Sequence, residues 1–144
     1  MKEEDFQLIE ENLQIKLPTF YRDFQLNYPE DLRILAVMDL KNTEDFPPLS
    51  YSSKWVIETN NTLWWDREGW LIIGENGNII YFIKLDGEDE SVYSWDPDDE
   101  RFYGIDDSDY IPLHEAVSKK ASSMNEFVDI LIEEIVGPYP DHFY

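Results

Sequence analysis

Three short β-prone runs, at residues 70–73, 79–85 and 91–95, follow one another with only brief Gly-containing or acidic connections between them. The clearest connection is Glu75-Asn76-Gly77-Asn78, because Asn-Gly supplies the positive φ angles that a tight hairpin requires. Asp86-Gly87 serves the next one in the same way. The pattern is that of an antiparallel meander, and the rest of the chain has to be arranged around it.

Helical signals flank the meander. Phe6, Ile9 and Leu13 recur at helical spacing among acids and amides, which predicts an amphipathic first helix over residues 3–13 and a turn over 14–17. Pro18 suits the first position of a second helix, on which Tyr21, Phe24 and Tyr28 share a face until Pro29 ends it. Near the other end, Ser123-Met124-Asn125-Glu126 is a capping box. It opens a helix whose apolar face is Met124, Phe127, Val128, Leu131, Ile132 and Ile135, and Gly137-Pro138 stops it. Residues 33–40 fit strand or helix, with strand preferred, and residues 42–53, which include Pro47-Pro48, read as an exposed loop. Residues 55–70 resist assignment, with Asn60-Asn61 and residues 66–69 as turn signals. The expected fold class is therefore α+β: an N-terminal helical hairpin, a central antiparallel meander sheet and a C-terminal helix packed on the sheet, in one domain of 144 residues.

Charge narrows the function. The 32 Asp and Glu against 11 Lys and Arg give a formal charge of −21, which repels phosphate backbones and anionic membranes. A field of that sign favours basic protein partners, an effect that salt weakens. Hydrophobic residues still make up 42% of the chain, enough for a core. With no Cys there are no disulfides, thiolate metal sites or Cys nucleophiles. No apolar leader follows Met1 and no run is long enough to span a bilayer, so a cytoplasmic location is expected.

The order and spacing of several short motifs resemble the SUKH superfamily. They are Leu17-Pro18 with Tyr21 and Phe24, Leu71-Ile72-Ile73-Gly74, Tyr81-Phe82-Ile83, and Val92-Tyr93-x-Trp95-Asp96. Residues 123–131 look like the closing helix of that family, with Met124 where a Phe is usual. Asn27-Tyr28-Pro29 and Ile79-Ile80 depart from the family's Asn-Gly-Gly and Gly-Asp. The family takes in fungal Smi/Knr regulators of cell-wall synthesis and many bacterial immunity proteins. The resemblance implies an α+β fold without enzymatic activity that binds a toxin, often a nuclease, or else a regulatory scaffold for cell-wall glucan synthesis.

The acids are unevenly placed. Residues 86–109 hold eleven of them against the single Arg101, so ten of the 21 net negative charges fall in this stretch. Asp86, Glu88, Asp89, Glu90, Asp96, Asp98, Asp99 and Glu100, with the nearby aromatics Trp64 and Trp65, are the candidate partner-binding residues. A basic toxin surface is the expected partner, and a set of solvated loops is the alternative reading of the same charges. The run lacks the order of an EF-hand loop, so no calcium site is expected. Trp64, Trp65, Asp66, Glu68 and Trp70 have the residue types of a glycosidase, but no rule of spacing fixes two of the carboxyls at a catalytic separation. His114 and His142 stand in no metal or nucleophile motif, and Gly74-x-x-Gly77 lacks the third Gly of a dinucleotide loop. The expectation is a protein-binding domain that is not an enzyme and needs no cofactor or metal.

Overall fold

The structure, a computed structural model, describes residues 1–30, 32, 49–62, 69–76, 79–95 and 117–136. Within them lie helices α1 (Glu3–Leu13), α2 (Thr19–Leu26), α3 (Ser53–Thr62) and α4 (Met124–Val136) and strands β1 (Trp70–Asn76), β2 (Ile79–Lys84), β3 (Val92–Trp95) and β4 (Ser118–Ala121). The strands form one antiparallel sheet in the order β1-β2-β3-β4, the meander expected with a fourth strand added at its far edge. The domain is α+β. Among the described residues no helix is long and apolar enough to cross a membrane.

Alternation along the strands sorts side chains onto two faces. Leu71, Ile73, Tyr81, Ile83, Val92 and Ala121 join Phe6, Ile9, Tyr21, Val56, Phe127 and Leu131 from the helices in the main core. The Phe127 ring meets Tyr81 edge-on, with centroids 4.7 Å apart, and this contact seats α4 on the sheet. Ile72 and Phe82 form a smaller cluster on the opposite face with half-buried Trp70, Ile80, Tyr93 and Trp95. Ile73 is the extra residue of a β-bulge, since Ile72 pairs with Phe82 and Gly74 with Tyr81.

The two N-terminal helices are tied at their ends. Arg22 on α2 pairs with Glu3 on α1 at 2.8 Å, and the Met1 ammonium donates to the Gln25 carbonyl at 3.4 Å. Gln14 at φ 54° closes α1, and the Glu10 carboxylate accepts the Leu17 N–H at 2.9 Å across the turn. The main helix partner of α1 is α3. Asp5 joins the two: its carboxylate accepts the Lys2 N–H at 2.8 Å and the Ser53 hydroxyl at 2.8 Å. The Lys2 bond is the larger reason why the Asp5 carboxyl stays below the usual carboxylate range.

Several sequence expectations need correction. Asn60 and Asn61 lie inside α3 and do not mark a turn. Leu49 and Ser50, expected in an exposed loop, are buried: Leu49 bridges Gly74, and Ser50 N–H donates to the Ile73 carbonyl at 3.0 Å. Ser53, the last residue of that expected loop, opens α3. Pro18 is the N-cap of α2 and not its first helical residue, and Tyr28 lies past the end of that helix. The Tyr28 ring instead packs edge-on against Phe24 and Tyr51, at 5.6 and 5.3 Å. Residues 33–40, 66–68, 77–78 and 137–144, together with His114, lie outside the described residues.

Candidate functional site

Four of the candidate acids lie on the turn between β2 and β3. Asp86 is a short-range cap, since its Oδ1 accepts the N–H groups of Glu88 at 2.9 Å and Asp89 at 3.1 Å. Those two bonds, the Asp89 one first, lower the Asp86 carboxyl below its ordinary range. Gly87 sits at φ 78°, a conformation in which a Cβ is strained. Glu88 and Glu90 are exposed.

Asp89 turns back toward the sheet. The Tyr93 hydroxyl donates to its Oδ2 at 2.6 Å, the Ser91 N–H donates to its Oδ1 at 3.0 Å, and the Lys84 ammonium stands 3.4 Å from Oδ2. The Tyr93 bond leads the effects that hold this carboxyl well below the usual range, with Ser91 next and Lys84 adding a smaller part. The same bond, with the Asp89 charge behind it, raises the Tyr93 phenol.

Behind the turn is an aromatic wall. Trp70 meets Tyr93 edge-on at 5.2 Å and Phe82 at 6.3 Å. Lys84, opposite Trp70 in the β1–β2 register, holds its ammonium 5.7 Å from the Trp70 ring and 5.3 Å from the Tyr93 ring. A charged turn is thereby bound to an apolar sheet face through Asp89, Tyr93 and Lys84. The sequence pointed to the acids and placed Tyr93 and Trp95 in a β-prone run. It did not identify Lys84 or Trp70 as the link, because their meeting depends on strand register.

On its other side the turn borders a groove of about 550 Å³. The groove lies between α2 (Phe20, Asp23, Phe24), Glu90 of the turn and the start of α4 (Met124, Asn125). No single motif carries these residues, which come from three distant segments. Asp96, Asp98, Asp99, Glu100, Trp64 and Trp65 lie outside the described residues. Among the described residues no group of three or more His, Asp or Glu is placed to hold a metal ion.

No curated protein gives a significant match to the chain. The model of the SMI1 / KNR4 family (SUKH-1) matches residues 1–130. That span takes in α1 to β4 and the first half of α4, so the motifs, the helix-sheet-helix order and the family model agree: this chain belongs to the SMI1 / KNR4 (SUKH-1) family.

Proposed function

We propose that this is a non-enzymatic protein-binding domain of the immunity type, which works in the cytoplasm by capturing and neutralising a basic, nuclease-type toxin domain. The observation that carries the reading is the β2–β3 turn. Its backbone is fixed by Asp86 and Asp89, Glu88 and Glu90 are exposed on it, and Asp89 ties it to Tyr93, whose ring packs against half-buried Trp70. Exposed acids steer a basic partner and the aromatics beside them supply buried anchors, the usual division of labour at a protein interface. A turn already ordered loses little further entropy on binding.

The test is titration calorimetry against the nuclease domain encoded beside the gene for this chain. Binding is expected to weaken by about tenfold or more as salt rises from roughly 0.05 to 0.5 M, as exposed charge contacts are screened. Glu88→Gln with Glu90→Gln should slow association more than it speeds dissociation. Absence of binding to any neighbouring toxin domain sinks the proposal.

A further inference from the structure

We infer that the groove between α2, the β2–β3 turn and the start of α4 is a receptor for a guanidinium side chain, an arginine presented by the protein partner. This rests on the proposed protein-binding role and assigns it a second, separable contact beyond the aromatic wall.

Charge complementarity is the first argument. Asp23 and Glu90 bring carboxylates to the groove from two different elements, and no Lys or Arg is among the described residues that line it. The one cation of α2, Arg22, is committed elsewhere: it pairs with Glu3 and lies 5.4 Å from the Phe6 ring. The start of α4, which would otherwise favour an anion, has one of its N–H groups capped and carries a carboxylate of its own in the first turn. Ser123 Oγ takes the Glu126 N–H at 3.1 Å, and the Glu126 carboxylate takes the Ser122 N–H at 3.2 Å.

The floor decides which cation. Phe24 and Met124 are buried, and the ring of the lining that stays open is the half-buried Phe20, so an occupant lays a weakly hydrated surface against Phe20. A guanidinium does this, because its planar face stacks on aromatic rings while its edge donates to several acceptors at once. The acceptors include Asn27, whose amide nitrogen is engaged with the Asp23 carbonyl at 3.0 Å, so its own carbonyl is the group it offers. An ammonium is a strongly hydrated point charge and gains less from such a floor.

The experiment uses the full chain, with amide resonances followed while acetyl-Gly-Arg-Gly-amide is added, then its Lys analogue, then inorganic phosphate. The Arg peptide is expected to move the signals of Phe20, Asn27, Gly87 and Asn125 ahead of others and to bind more tightly than the Lys peptide. Asp23→Asn with Glu90→Gln should weaken it about fivefold or more, whereas Glu4→Gln with Glu11→Gln, an equal charge loss on exposed positions of α1, should change it less than about twofold. Equal weakening by both pairs, shifts spread over the acidic surface, equal binding of the Lys peptide, or phosphate in the groove would each overturn the assignment. The small probe keeps the two ideas apart: toxin capture with an empty groove removes only this inference, and a filled groove without toxin capture removes only the proposed function.

Discussion

Asn60 and Ile72 are paired as two strand residues would be, although one partner is a helix side chain. The Ile72 N–H donates to Asn60 Oδ1 at 2.9 Å, and Asn60 Nδ2 donates to the Ile72 carbonyl at 3.0 Å and to the Val56 carbonyl at 2.8 Å. Asn60 is 1% exposed, so these bonds pair Ile72 in the interior, next to the stretch of β1 that Leu49 and Ser50 pair. Asn60→Leu should therefore cost about 2–4 kcal/mol, since it leaves two buried backbone groups unpaired. Urea unfolding measures this, and a loss under about 0.5 kcal/mol would show that Ile72 has another partner.

The contact of Phe127 with Tyr81 makes α4 the main clamp on the sheet. Phe127→Ala should cost about 3–5 kcal/mol, through lost burial and the cavity left behind. Phe127→Leu keeps most of the volume and should cost about 1.5 kcal/mol or less, with the difference read from denaturant midpoints. If the two substitutions cost the same, the edge-on ring packing and not the volume is what matters.

Asp89 predicts an acid limb in stability. Its carboxyl is depressed in the folded state, so the contribution is complete above the ordinary carboxylate pKa of about 4 and is lost as the pH falls toward the lower folded value. Wild type should exceed Asp89→Asn at pH 6 to 7, and the gap should close on acidification. Chemical unfolding across that range checks it, and a gap that is constant with pH would mean that Asp89 acts without its charge.

Gly87 holds φ 78°, and a Cβ added there would meet nothing within 4 Å, so backbone strain and not crowding sets the cost of a side chain. Gly87→Ala should destabilise by about 1 kcal/mol, and Gly87→Asn by less, because Asn tolerates the left-handed region better. Thermal unfolding of both variants tests the order.

Legibility followed the range of the interactions involved. The hairpin strands and α4 could be read because their signals are local: alternation and Gly turns for the first, a capping box for the second. The structure confirms that box in part, with Ser123 accepting from Glu126 while Glu126 reaches Ser122 and not the cap residue itself. α3 was not legible, because its Val, Ile, Thr and paired Asn residues are indifferent helix formers. What holds it is tertiary: Val56 in the core and Asn60 on β1. β4, Ser-Lys-Lys-Ala, has no apolar alternation and exists through its pairing with β3. The acids of the β2–β3 turn were visible as charge, but the sequence could not separate Asp89, which turns in to the sheet, and Asp86, which caps the turn's own N–H groups, from Glu88 and Glu90, whose carboxylates are exposed.

That separation draws a boundary across the domain. Lys84 and Tyr93 engage Asp89 at the sheet, so an aromatic surface whose carboxylate is paired meets exposed, acidic positions along the length of a single turn. Under the proposed function, the toxin domain would carry the same boundary in mirror image, basic on one side and apolar on the other. On that proposal, discrimination among related cationic proteins would depend on where the seam runs and not on how much positive charge they carry.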